Sequence, residues 1–334
     1  MSAPSTAAGP VLVATRSSRL ARAQSGTVAE RLTTGLSRPV RLVDVTTRGD
    51  VDSAPLPAIG GEGVFVSALR AALVAGDVDV AVHSLKDLPT EPVDGIELAA
   101  VPVREDPRDV LVARDGLTLG ELPPGSTVGT GSPRRAAQLR ALGLGMEVVD
   151  LRGNVDTRLD RVAAGGLDAV VVARAGLARL GRLDEVTEAL DPLQMLPAPG
   201  QGALAVECRA GDPLADSLRR LLDDPDTRAA VTAERAFLAA VGAGCSAPVG
   251  ALAELVLVDP DADADVDTDA GGSTGAPDEL WLRAAVIDPT GYPLLRSSTT
   301  GAPDQPEHVG HRLATEMLAD GAAELVGPAA GAEP

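Results

Sequence analysis

Lysine is almost missing from this chain: Lys86 stands alone against 28 arginines. Aromatic residues are as scarce, limited to Phe65, Phe237, Trp281 and Tyr292, so core packing falls to Val, Leu and Ala. Only two cysteines occur, Cys208 and Cys245; they make no disulfide framework and suit a reducing compartment. No apolar run approaches the ~20 residues of a membrane span. Residues 1–10 lack the basic start and apolar core of a signal peptide, so a cytoplasmic location is expected. Surplus positive charge is also missing. A net charge of -19 argues against nucleic acid and anionic membrane as partners, yet leaves small anions open, because these need only a local basic cluster. The Ala, Gly, Pro and Arg usage has the look of compositional bias, so the arginine excess alone carries little. At 334 residues with 45% hydrophobic content, the chain has room for two or three domains.

Against that background one stretch stands out. An apolar strand beginning at Asp79 carries the chain inward and ends in His83, Ser84, Lys86 and Asp87 before Pro89 stops it. In open α/β sheets, ligands sit at the C-terminal ends of strands. Two readings stay open from this stretch alone: a surface salt bridge between Lys86 and Asp87, or a binding site.

The rest of the chain repeats the pattern. A strand over 11–15 leads to Arg16 and Ser18, with Ser18 as N-cap of a helix. A second strand over 40–45 leads into a Thr-Thr-Arg-Gly-Asp run. The Pro- and Gly-rich segment 52–63 reads as a mobile loop, and a helix over 64–75 ends at Gly76. Strands over 109–113 and 126–130 follow. After the second, Ser132 takes the N-cap position and Pro133 the first helical position, before a helix expected over 136–142. Arg134 and Arg135 in that first turn oppose the helix dipole unless an anion sits there, so the sequence asks for an anion. Strands over 146–151 and 167–173 run into segments carrying Arg152, Arg158 and Arg179. Three consecutive strand ends thus lead into arginines. Residues 196–202 form a turn-rich crossover, and the strand after it returns to the first domain. A last unit starts near Asp223, with a helix over 227–240, three strands and a closing helix over 307–319. The tail after Gly327 is expected to be unstructured.

Other features point to no chemistry. The Asp-rich stretch 259–276 fails the calcium-loop pattern, because Val266 and Gly272 stand where Gly and Glu are required; it reads as a solvated acidic loop. His308 and His311 lie three apart on a helix without further ligands, and Cys208 sits inside an apolar strand. Cys245 differs, following Gly242-Ala-Gly in a tight loop after a helix. From the residues alone the expectation is a hinged two-lobed protein with an arginine-lined cleft, one acid (Asp87) and a presented cysteine. Its ligand would carry several carboxylates or phosphates.

Ten ordered segments then identify a resemblance: ATRSSRLARAQS (14–25), TTRGD (46–50), GGEGVFVSAL (60–69), DVAVHSLKDLP (79–89), REDPRDV (104–110), VGTGSPRRAAQL (128–139), LRGNVDTRL (151–159), ARAGLARLG (173–181), LPAPGQGALAVECR (196–209) and AERAFLAAVGAGCSAPVGA (233–251). Together they resemble the hydroxymethylbilane synthase (porphobilinogen deaminase) family. The resemblance implies an α/β fold of two type II periplasmic-binding-protein-like domains plus a smaller α+β C-terminal domain. Domain 1 would comprise 1–102 and 203–222, domain 2 103–202, and domain 3 223–334.

It also implies an enzyme that condenses four porphobilinogen molecules head to tail into hydroxymethylbilane, releasing four ammonia. The chain would grow on a dipyrromethane cofactor attached through a thioether to Cys245. By the same resemblance Asp87 is the catalytic carboxylate. Lys86, Ser84, Thr130, Ser132, Arg134 and Arg135 match cofactor-binding positions. Arg16, Ser18, Arg152, Arg158, Arg179, Gln201 and Phe65 match substrate-binding positions. No metal, nucleic acid or membrane partner is implied, and the family's usual state is monomeric. Three departures stand out: Glu62 replaces the usual lysine of the GGKG loop, Ser246 follows the cofactor cysteine, and Arg19 stands where proline is common. The competing expectations are a non-enzymatic two-lobed anion-binding module and an inactive homologue.

Overall fold

The computed structural model describes residues 9–47, 66–244, 247–256 and 279–326. Glu62, Phe65, Cys245, Ser246, the 52–63 loop, the Asp-rich 259–276 stretch and the tail after Gly327 lie outside the described residues.

Strands that are apolar along their whole length can only be buried on both faces, and these form the centres of two sheets. The first contains β1 (Val11–Thr15), β2 (Val40–Asp44), β3 (Val80–Ser84), β4 (Ile96–Ala100) and a late strand, β10 (Leu204–Arg209). Their order is β2-β1-β3-β10-β4, parallel over the first three, with β10 antiparallel to its neighbours. The second contains β5 (Asp109–Ala113), β6 (Thr127–Thr130), β7 (Glu147–Asp150), β8 (Ala169–Ala173) and β9 (Glu188–Ala189). It repeats the plan as β7-β6-β8-β5-β9, with β5 antiparallel to β8 and β9. In each sheet the fourth strand is the one that the chain delivers from the other lobe. This exchange is the type II periplasmic-binding-protein-like arrangement expected from the sequence.

Short polar caps start the helices as the sequence asks. Ser18 caps α1 (Arg19–Leu36), accepting from Ala21 N at 3.3 Å; α2 (Ser67–Ala75) ends at Gly76 with φ 79°, a left-handed turn that glycine enters without steric cost. Ser132 caps α3 (Pro133–Ala141), which begins at the proline rather than at 136. Asn154 caps α4 (Val155–Ala163), and α5 (Arg174–Leu180) follows β8 directly. Five elements were not foreseen: β4, β9, the helix α5, α6 (Leu214–Leu222) and the short helix Ala322–Val326. The two-residue β9 exists only through its pairing with β5. By contrast, α6 did carry a signal, with Leu214, Leu218, Leu221 and Leu222 at helical spacing.

The remaining unit is an antiparallel sheet of β11 (Val249–Val256), β12 (Glu279–Ile287) and β13 (Leu294–Gly301). It is covered by α7 (Pro225–Ala240), α8 (Pro306–Ala319) and the short α9 (Ala322–Val326). Phe237, Leu313, Leu280 and Leu282 are fully enclosed between helices and sheet.

Two chain crossings join the lobes, and they lie side by side: Glu105 N donates to Gly202 O at 3.3 Å. Gly202 has φ 89°, and a β-carbon there would collide with the Glu105 carbonyl, so only glycine fits. Glu234 of α7, wholly buried, bolts the crossings to the third unit. Its carboxylate accepts from Arg104 Nη1 at 2.7 Å and Nη2 at 3.1 Å, from Gly200 N at 2.6 Å and from Ala253 N at 2.9 Å. Removing one partner of a buried ion pair leaves the other uncompensated, at about 3–5 kcal/mol. Glu234→Ala is therefore expected to lower unfolding stability by about that much, read as a fall in the urea midpoint.

Candidate active site

The parallel strands of both lobes end on the same cleft, and the antiparallel registers bring the crossovers to that edge. Leu204 pairs with Ser84, and Asp109 pairs with Ala173. Gln201 and Asp109 therefore arrive beside the ends of β3 and β8. The cleft between the lobes is lined by Leu20, Gln24, Ser84 and Lys86 on one side and by Ala173, Gly176 and Arg179 on the other.

On the first lobe β3 passes into one turn of 3-10 helix, Leu85–Asp87. Leu85 and Leu88 point into the core at 0% and 3% exposure, which leaves Lys86 and Asp87 half-buried, with Lys86 lining the cleft. Lys86 Nζ donates to Gln201 Oε1 at 3.3 Å, and Gln24 Nε2 donates to Ser84 Oγ at 2.9 Å. His83, one of the polar residues at this strand end, is not part of the cleft chemistry. It is buried, with Nε2 3.2 Å from Glu207 Oε2, and Glu207 also takes a two-point ion pair from Arg70. Burial works against the Glu207 charge, but His83 and Arg70 overcome it and hold the carboxyl down at about 2.

On the second lobe, Arg134 and Arg135 do meet an anion, but it is the protein's own. Asp109, 0% exposed, accepts from Arg134 Nη2 at 2.7 Å, from Arg135 Nε at 3.0 Å and Nη2 at 2.7 Å, and from Gln201 Nε2 at 2.8 Å. Burial would raise its pKa, yet the two guanidiniums hold it well below the usual carboxylate range. The helix-start arginines are thus first partnered within the protein by this carboxylate. Arg134 is turned fully inward, with its other nitrogen on the Leu196 carbonyl.

One carboxylate against two guanidiniums leaves positive charge over, and the surplus shows in the neighbours. Burial and then Arg135 push the Lys86 amine down to about 8, against the opposing pull of Asp87 and Asp109. Burial, Arg135 and Arg152 push Arg158 down to about 10, with Asp150 opposing. Arg179 is lowered by burial, with Glu105 opposing. A cleft in which Lys86 and Arg158 are destabilised by burial and by neighbouring arginines, and Arg179 by burial, is built to receive anions.

Among the remaining sequence candidates, Arg158 Nε donates to Gly153 O at 2.9 Å and Arg179 Nη2 to Gly202 O at 2.6 Å. Arg152 keeps a loose 4.0 Å contact with Asp150, and its buried Nε has no hydrogen-bond partner among the described residues. Thr130 Oγ1 accepts from Ser132 N at 3.2 Å. Arg16 is half-buried after β1 and Ser18 is engaged in capping α1. The structure links Lys86, Gln201 and Arg135 into one hydrogen-bonded chain. Asp109 and Gln24 were missed by sequence reading. A charged residue opening the apolar run Asp109–Ala113 was the available signal for the first, and a buried glutamine in an amphipathic helix offered none for the second.

Known proteins match this chain closely. Residues 11–217 match the family model "Porphobilinogen deaminase, dipyromethane cofactor binding domain", and residues 228–319 match "Porphobilinogen deaminase, C-terminal domain". The chain is 55% identical over 317 residues to the porphobilinogen deaminase of Mycobacterium avium (strain 104), covering 95% of this chain and 96% of that one. The same identity and length hold for the porphobilinogen deaminase of Mycobacterium tuberculosis (strain H37Rv), covering 95% and 98%. Among solved structures, a putative methionine-binding lipoprotein of Bacillus subtilis is 12% identical over 66% of this chain and 92% of that one, with a TM-score of 0.41. That likeness is too loose to add to the topology already described.

The Lys86 amine offers a direct test of the surplus charge, because no other lysine competes for labelling. In the ligand-free chain its acylation, followed by peptide mass spectrometry, is expected to reach half-maximal rate near pH 8. A polycarboxylate ligand in the cleft should move that midpoint upward. A midpoint at the ordinary lysine value of 10.5 would contradict the buried, cation-crowded setting.

Proposed function

Because this chain belongs to the porphobilinogen deaminase family, we propose that the family's chemistry is carried out in the cleft between its lobes, with Asp87 as the acid–base group. The enzyme joins four porphobilinogen molecules head to tail into hydroxymethylbilane and releases four ammonia, using a dipyrromethane cofactor. Cys245, directly after α7 and its Gly-Ala-Gly exit, is the proposed thioether anchor. Domain limits of 1–102 with 203–222, 103–202 and 223–334 are proposed on the ground that each sheet draws its strands from one of these divisions.

The observation that carries the site assignment is the surplus of buried cations facing one carboxylate. Each porphobilinogen bears an acetate and a propionate, so a growing chain accumulates carboxylates. The donor set fits such a group: Lys86, Ser84, Thr130, Ser132 and Arg135 would hold the cofactor, and Arg134, turned inward onto Asp109 and the Leu196 carbonyl, would support them from behind. Arg16, Ser18, Arg152, Arg158, Arg179, Gln201 and Phe65 would hold incoming substrate. Guanidinium forks suit carboxylates because two parallel N–H bonds match two oxygens. When bound, the dipyrromethane supplies the nucleophilic pyrrole carbon from which the chain is extended.

Asp87 supplies the remaining chemistry. Among the described residues none donates a hydrogen bond to its carboxylate. It would accept a hydrogen bond from the aminomethyl ammonium and stay beside the positive charge that the pyrrole takes on as ammonia leaves. It would then take up the proton lost from the pyrrole α-carbon. A fixed anion next to a developing cation is preorganised electrostatic stabilisation, which acts at the transition state without reorganisation. We further propose a monomer working in the cytoplasm. None of the described helices is long and apolar enough to cross a membrane, and the net charge of -19 disfavours anionic partners.

Two measurements test this reading. The intact mass of the purified protein should exceed the sequence mass by two linked pyrrole units, and Cys245→Ala should lose that increment; an unmodified mass in an active preparation would refute the anchor. Asp87→Asn should retain the increment while its turnover of porphobilinogen falls by about 10²–10³-fold, the cost of removing one preorganised electrostatic group.

A further inference from the structure

The turn that carries Asp87 is held by the third unit rather than by its own lobe alone. Leu88 N donates to Leu85 O at 3.0 Å and closes the turn on one side of Asp87. Leu85 and Leu88 pack into a small apolar cluster with Val66, Val101, Ala203, Ala205 and Val231, the last reaching in from α7 at 1% exposure. One helical turn beyond Val231, on the same face, Arg235 spreads its guanidinium over the turn's exit. Nη1 donates to Leu88 O at 2.9 Å and Nη2 to Pro89 O at 2.7 Å. Pro89 itself keeps Leu88 extended, and Leu88 lies at φ -85°, ψ 124°.

We propose that Arg235 is a positioning residue for Asp87, fixing the backbone on the exit side of the carboxylate and so setting where it stands in the cleft. The inference rests on the reading of Asp87 as the acid–base group. Arg235 acts on the turn through the Leu88 and Pro89 carbonyls. Its neighbour Glu234 grips both crossovers from the same helix, so α7 holds the catalytic turn and the hinge in one register. That helix also leads directly into the loop of Cys245. The unit that bears the cofactor cysteine therefore also sets the position of the carboxylate that works on the chain growing from it.

A misplacement of about 1 Å can cost about 10²-fold in rate, whereas groups binding substrate are untouched. Arg235→Leu, which keeps packing and removes the fork, is expected to lower kcat by about 10–100-fold, with KM within about 2-fold and the cofactor increment intact by mass. Arg235→Lys, with one donor head in place of the fork, should recover part of the loss. Hydrogen exchange over residues 85–90 should quicken in Arg235→Leu, a readout independent of turnover.

The deciding comparison is a double-mutant cycle on the cofactor-loaded enzyme, with rates taken from single turnovers. If Arg235 acts through Asp87, Arg235→Leu adds little further loss to Asp87→Asn. A multiplicative loss in the double variant, or wild-type kcat in a loaded Arg235→Leu enzyme, overturns the proposal. Unchanged exchange over 85–90 overturns it too. Should Arg235→Leu fail to fold, Arg235→Lys and Arg235→Gln carry the same comparison. Wild-type turnover in Asp87→Asn would instead bring down the assignment of Asp87, while slow Asp87→Asn with fast Arg235→Leu defeats only the inference about Arg235.

Discussion

The buried carboxylate of Asp109 is the contact on which the cleft depends. A fully enclosed charge is tolerated only when it is paired and hydrogen-bonded, and Asp109 meets that condition through Arg134, Arg135 and Gln201. The arrangement works in both directions. The arginines keep Asp109 ionised, and Asp109 lets two guanidiniums stand side by side beneath the cleft. Because the pairing is unequal, positive charge is left over and passes outward to Lys86 and Arg158. The carboxylate thus orders the site internally while leaving it receptive to anions.

The topology explains why a single residue can do this. Asp109 opens the antiparallel strand that enters the second lobe, and Gln201 closes the crossover that leaves it. Their hydrogen bond joins the two crossings at the floor of the cleft. Glu234 performs the equivalent task from the third unit, binding Arg104 of one crossing and Gly200 of the other. The hinge region is therefore stiff in its polar connections, with Gly202 supplying the close approach that lets the crossings lie together. One of these bonded points, Gln201, lies next to Lys86.

Much of this was legible in the sequence, for definite reasons. The alternation of short apolar strands with capped helices follows from local rules, and Ser18, Ser132 and Gly76 act as those rules require. The strand ends carrying Arg134, Arg152, Arg158 and Arg179 were visible because parallel strands deliver their C-terminal ends to one edge. Elements that owe their existence to a neighbour, such as β9, had no signal of their own. His83 misled for a related reason: its place among polar residues at a strand end resembled a site, but its side chain faces Glu207.

By itself, the sequence determined the family and the two-lobed α/β plan, and it pointed to Asp87 and to an anionic ligand. Those properties reside in short ordered motifs and in the local periodicity of each element. Only the tertiary structure decided which cations are engaged within the protein and which act at the cleft. Arg134 and Arg135 look alike as neighbours in one helical turn, but their fates depend on Asp109, 25 and 26 residues away, and on Gln201, 92 residues from that carboxylate. Likewise, nothing local to Asp87 announces Arg235, 147 residues beyond Leu88. Charges separated that far in the chain interact only once sheet register and helix packing have brought them together, and local sequence rules do not encode that distance.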